Sequence, residues 1–183
     1  MPRLLFSGLI ALLLCGCGDA TDRDSPSVTA VGAAFAEAPP PEAVEISRTP
    51  VEPYPSATEV RLFVQDGRDA DGKGLYSDQD GRLLTRSERR AIERTIKTAH
   101  YRPGERWAAA CFIPHHFFRY YDAQGRQIGE MAICFCCAGI QESPGIPLSE
   151  GPSGTETSEL TFDYTALKAA VEAMGLRTDI ECD

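Results

Sequence analysis

Between Cys111 and Ala138 the chain carries its densest run of aromatic, β-branched and sulfur-bearing residues, broken once by Asp122-Ala123-Gln124-Gly125. That pattern predicts a long antiparallel hairpin with arms over 108–122 and 127–138. Gly125 suits the positive-φ position of a type I turn followed by a bulge. Apolar residues on both faces of the second arm make it a central strand, so the rest of the domain must be arranged around it. Pro114 lacks a ladder donor and predicts a kink or bulge in the first arm.

The flanking segments supply that arrangement. Val60, Leu62 and Val64 alternate along 59–65, the signature of a half-buried strand. Glycines and aspartates over 66–81 then break the chain into turns. Thr85-Arg86-Ser87-Glu88 has the spacing of a capping box. It predicts a helix over about 86–99 with Ile92, Ile96 and Ala99 on one stripe and His100 at its C-terminal end. A Gly/Pro/Ser/Glu-rich loop is expected over 141–158. Asp163 is a good N-cap, Phe162 and Leu167 are placed as a hydrophobic staple, and Leu167, Val171 and Met174 form a stripe that stops at Gly175. The order predicts an α+β fold: a small antiparallel sheet with a long central hairpin, covered by two helices.

Upstream the composition changes. Residues 17–57 are rich in Ala, Pro, Ser, Thr and Glu, with prolines at 39–41, 50, 53 and 55, and read as a disordered tether with the folded domain over 58–183. Before it, Arg3 is followed by the apolar run Leu4 to Leu14 and by Leu14-Cys15-Gly16-Cys17. The run is shorter than the roughly 20 residues that cross a bilayer core as a helix, and it has the form of a cleaved signal peptide over 1–16. This resembles the lipobox of bacterial lipoproteins. The resemblance implies cleavage before Cys17, diacylglycerol on its thiol and acylation of its amine, which together make a firm anchor. Gly18 after the modified cysteine implies the outer membrane, facing the periplasm, in a Gram-negative host. The partners expected are thus the membrane, through the lipid, and an envelope protein.

The chain has 18 Lys and Arg against 27 Asp and Glu, a formal net charge of −9. Such a surface repels phosphate backbones and excludes nucleic acid as a partner.

Chemistry concentrates in Cys111, His115, His116, Cys134, Cys136 and Cys137, with Cys182 near the C-terminus. Of 7 cysteines, Cys15 leaves with the signal and Cys17 is lipidated, so five remain. If Asp122 opposes Arg126, Cys111 faces Cys137, and a shift of one residue places it against Cys136 or Ala138. A cross-strand disulfide from Cys111 to Cys136 or Cys137 is therefore one reading, natural in an oxidising compartment. A zinc or copper site from Cys111, His115, Cys134 and Cys136 is a second, since thiolates and imidazoles suit those metals. Thiol redox chemistry at Cys134-x-x-Cys137 is a third, although sulfurs at those positions diverge in a strand. His115 and His116 point to opposite faces of an extended arm and do not act as a pair.

The segment Cys111-Phe-Ile-Pro-His-His, followed by Ile133-Cys-Phe-Cys-Cys, resembles a hairpin of uncharacterised bacterial proteins, many secreted or lipid-anchored. They share a Cys-Phe-x-Pro-x-His arm and an Ile-Cys-Phe-x-Cys arm. The resemblance covers about 30 residues and implies that Cys111, His115, Cys134 and Cys136 form one local unit. It implies no activity.

Calcium is set aside, because a loop read from Asp78 has Leu83 at its sixth position and Arg89 at its twelfth, where an EF-hand needs Gly and Glu. No nucleophile elbow, P-loop or His-Glu-x-x-His occurs. The expectation is a non-enzymatic interaction or structural domain with a disulfide-stabilised hairpin and no cofactor. Phe117, Phe118, Tyr120 and Tyr121 are its candidate contact surface. The competing expectation is metal or thiol chemistry at the Cys/His cluster.

Overall fold

A computed structural model describes residues 41–106 and 111–180. The signal, Cys17, most of the expected tether, residues 108–110 of the first hairpin arm and Cys182 lie outside them.

The larger sheet is built on β2 (Glu59–Arg68), where alternation buries Val60, Leu62 and Val64 on one face. Two short strands, β3 (Gly74–Tyr76) and β4 (Arg82–Leu83), pair with its outer edge. Its inner edge pairs with β6 (His116–Tyr121), followed by β7 (Gln127–Cys134) and β8 (Gly139–Ser143), all antiparallel. The β6–β7 turn is the one expected. Gly125 has φ 72°, and the Asp122 carboxylate accepts from the amides of Gln124 and Arg126 at 2.9 and 3.0 Å. The register slips by one between Tyr120 and Tyr121, as a bulge requires.

The hairpin is shorter than the sequence suggested. Its ladder begins at His116, not near 108, so Cys111 has no cross-strand neighbour. Its second arm ends at Cys134, because residues 135–138 turn and the chain returns as β8.

A second sheet was not anticipated. It has the order β1 (Glu45–Ile46), β5 (Ile96–Tyr101), β9 (Thr157–Phe162), again antiparallel. Strand β5 corrects the expected helix over 86–99. The capping box at Thr85 and Glu88 forms, but α1 runs only from Arg86 to Glu93. Thr95, Ile96 and Thr98 are β-branched and favour extended backbone. As the middle strand, β5 is buried on both faces, with Ile96, Thr98 and His100 on one and Ala99 and Tyr101 on the other. His100 is thus a buried strand residue, not a cap on a helix dipole. Strand β9 likewise replaces the end of the expected loop.

Strand β1 moves the start of the fold. The amides of Val44, Ser47 and Val51 donate to carbonyls of His100, Thr98 and Ile96, and Tyr54 and Ala57 enter the core. Residues 44–57 therefore belong to the domain and not to a tether. Their prolines are compatible with this because an edge strand needs few ladder donors.

The second helix, α2 (Tyr164–Glu172), is as expected. Asp163 caps it by accepting from Ala166 N–H at 3.0 Å, and Leu167 and Val171 are fully buried. The core lies where one face of the large sheet meets both helices and the adjoining ends of β5 and β9. Leu62, Phe118, Met131 and Ile133 meet Ile92, Ile96, Phe162, Leu167 and Val171 there.

Candidate functional site

The turn after β7 gathers three of the cysteines. Cys134, which is buried, and Cys137, which is half-buried, form a disulfide with Cα atoms 5.7 Å apart. The sulfurs meet because residues 135–138 leave the strand conformation that would have held them apart. Ala138 takes φ 51°, and β8 starts at Gly139, where a Cβ would lie 2.6 Å from the Phe112 ring. The Cys137 N–H points at Cys134 Sγ at 3.3 Å. Cys136, which is exposed, is also disulfide-bonded, and its Sγ lies 3.4 Å from the Ile180 carbonyl oxygen. Cys111 is an exposed free thiol. The structure therefore does not make the expected bridge from Cys111 to Cys136 or Cys137, because Cys111 precedes the ladder and both candidates are otherwise bonded.

The histidines are set into the core on opposite sides of β6. His115 Nδ1–H donates to the Gln65 carbonyl at 2.9 Å, and His116 Nε2–H to the Arg177 carbonyl at 2.7 Å. His116 also stands edge-on to Phe135, with ring centroids 4.8 Å apart. Burial pushes the His116 imidazolium down to a pKa of about 4, overriding the bond to Arg177. With Cys134 and Cys136 held as disulfides, the expected metal set keeps one thiol, exposed Cys111, beside His115, which is buried and bonded to the Gln65 carbonyl. Among the described residues no three His, Cys, Asp or Glu side chains are placed to hold a metal ion.

The candidate aromatic surface divides by strand alternation. Phe118 and Tyr120 are fully buried in the core, while Phe117 and Tyr121 are half-buried on the outer face. That face is organised by Arg119. Its guanidinium lies 4.2 Å from the Phe63 ring centroid and 5.1 Å from that of Tyr76, and donates to Glu130 at 2.7 Å and to the Tyr76 hydroxyl at 3.0 Å. A cation stacked and paired in this way is committed to holding the face together. Another pairing that looks catalytic is His100 Nδ1 with Ser158 Oγ, 3.0 Å apart. The serine hydroxyl donates to the Ser149 carbonyl at 3.1 Å, so it accepts from the imidazole N–H and is not activated by it.

One concavity lies between the sheets. A cleft of about 450 Å³ is walled by Gly139 to Glu142 of β8 and Ser158 to Thr161 of β9, with Tyr101, Phe112 and Leu148 adding apolar surface. Both walls are edge strands. The ladders fix which way their peptide groups point. Leu84 N–H donates to Val60 O and Gln65 N–H to His115 O, so β2 turns its even residues to β4 and its odd ones to β6. Carried through the registers of β6 and β7, the alternation turns Ile140 and Glu142 of β8 away from β7. Similarly Asp163 N–H donates to Thr95 O and Ser47 N–H to Thr98 O, which turns Ser158 and Leu160 of β9 away from β5. All four of these residues line the cleft. Its charged walls are Glu142 and Glu159, and Arg106 reaches Glu159 at 2.8 Å from an exposed position.

None of these cleft residues was a sequence candidate. The signal for β9 was present in the alternation of Ser158, Leu160 and Phe162, but the prolines and glycines just before it masked it. No protein-family profile, curated protein or solved structure matches the chain.

Proposed function

We propose that this chain is a lipid-anchored cell-envelope protein whose disulfide-braced domain works by binding, with the cleft between β8 and β9 as its contact site. The observation that carries the reading is the Cys134–Cys137 bridge. Such bonds persist in oxidising compartments, which is where the lipobox-like sequence at Cys17 directs the chain. The anionic surface agrees with a protein partner and not with nucleic acid. The lipobox-like sequence is what supports attachment through acylated Cys17. The test is expression of the full chain in a bacterium that processes lipoproteins. Mass spectrometry should find a diacylated N-terminal Cys17, and the Cys17→Ser chain should leave the membrane fraction. An unmodified, soluble wild-type chain, or one with Cys134 and Cys137 both alkylatable without reductant, overturns the reading.

A second reading, thiol–disulfide exchange, is favoured by the Cys137 N–H aimed at Cys134 Sγ. An external thiolate attacking half-buried Cys137 would form a mixed disulfide and release Cys134 as a thiolate that accepts this N–H. Reduction of insulin disulfides by the dithiol form, lost in Cys137→Ser, would establish it. Inactivity of the dithiol form removes it.

A further inference from the structure

Edge strands carry rows of unpaired peptide groups, and a protein that leaves two of them facing one cleft presents a template for a third strand. We infer that the cleft between β8 and β9 takes an extended peptide segment bearing a lysine or arginine, bound by main-chain pairing with the outward groups of Ile140 and Glu142 or of Ser158 and Leu160. This deepens the binding role proposed above and rests on it.

Three observations select that occupant. The four outward residues offer alternating N–H donors and C=O acceptors, which complement a peptide backbone. None of them makes a backbone hydrogen bond with another described segment outside its own ladder. Of the two wall carboxylates Glu159 is engaged by Arg106 at 2.8 Å, which leaves the charge of Glu142 to favour a cationic side chain over an anionic one. Tyr101, Phe112, Ile140, Leu148 and Leu160 provide apolar surface for the alternate side chains of an added strand. The volume falls within the range of ligand clefts, roughly 300–1,000 Å³. Strands β8 and β9 come within 8 Å between Cα atoms at their nearest points. A strand paired to both sides would need about twice the usual spacing of roughly 4.8 Å. The peptide therefore pairs with one edge and packs against the other.

The test uses the full, lipidated chain in detergent micelles to select from a displayed library of random twelve-residue peptides. The expected winners alternate apolar and polar residues and contain a lysine or arginine. As synthetic peptides they should slow amide hydrogen exchange at one outward pair, residues 140 and 142 or residues 158 and 160. N-methylation of the pairing amides should weaken binding about tenfold, the effect of losing one or two backbone hydrogen bonds. Glu142→Gln should relax the preference for a basic residue while keeping main-chain pairing. Glu142→Pro removes an outward N–H at an edge position that tolerates proline. If exchange slows at the β8 pair, it should weaken those winners; if at the β9 pair, it should not. The inference is overturned if no sequence is selected, if N-methylated peptides bind equally well, or if protection appears without peptide and grows with protein concentration. That last result would show a second copy pairing on the edge. Lipidation at Cys17 is read separately by mass. A lipidated chain that selects no peptide therefore defeats this inference alone, and an unlipidated chain that selects peptides defeats only the anchoring.

Discussion

Removing the hydroxyl of Tyr120 should stabilise this protein. Tyr120 is fully buried beneath β6, its ring 4.8 Å from that of Tyr54 and 5.8 Å from the Arg89 guanidinium. Its hydroxyl has no hydrogen-bond partner among the described residues. Burial, with the Glu93 carboxylate nearby, pushes the phenol well above its usual range, so it is neutral at any relevant pH. A buried hydroxyl without a partner costs about 1–3 kcal/mol, and deleting one atom leaves the ring packing almost unchanged. Tyr120→Phe should therefore gain about 1–2 kcal/mol. For a domain of this size that raises the midpoint of thermal unfolding by about 3–6 °C. Urea unfolding of the oxidised wild type and the variant, with equal m-values, measures it directly. A loss of stability would show that the hydroxyl has a partner, such as a bound water, and would refute the reasoning.

Other perturbations test other parts of the fold. His116 is buried and neutral, with a folded pKa of about 4 against about 6.5 unfolded. Between these values the unfolded chain takes up a proton that the folded chain refuses. Stability should be full above about pH 6.5 and fall by as much as about 3 kcal/mol towards pH 4, a slope that His116→Leu should remove. Thr85→Ala, which opens the capping box of α1, should cost about 1 kcal/mol in urea unfolding. Without reductant, alkylation of the native protein should label Cys111, and peptide mapping should find Cys134 linked to Cys137. Labelling of Cys134 would contradict the turn geometry.

What the sequence made legible was whatever rests on local rules. The alternation of Val60, Leu62 and Val64, the capping box at Thr85, the N-cap at Asp163 and the turn at Gly125 each depend on residues within a few positions, and each formed. The errors came where a local pattern satisfied two geometries. Ile92, Ile96 and Ala99 fit a helical stripe, yet Ile96 also alternates with Thr98 and His100 as a strand. The partners that decide between them, β1 and β9, lie more than 50 residues away on either side. The cysteine cluster failed for the opposite reason. The apolar run continues to Ala138, past the end of β7, and only an extended backbone over residues 135–137 would hold the sulfurs of Cys134 and Cys137 apart.

The four sheet edges are not treated alike, and the difference bears on the cleft. Proteins protect edges by shortness, charge and proline. Strand β1 has two residues and is followed by Pro50, while β3 has three and is flanked by Asp69, Asp71 and Lys73. Strands β8 and β9 have five and six residues, contain no lysine or proline, and carry Ile140 and Leu160 among their outward groups. Facing one another already hides these edges from open-ended association, so their length alone does not demand a ligand. Mutual shielding would be complete, however, only if they paired, and no backbone hydrogen bond joins them among the described residues. Two long edges that do not pair, with Glu142 and Glu159 as their only charges, are what a strand-binding cleft requires. Exchange at residues 140, 142, 158 and 160 in the free protein separates the two cases: rapid exchange means open edges, and slow exchange means that the chain itself already occupies them.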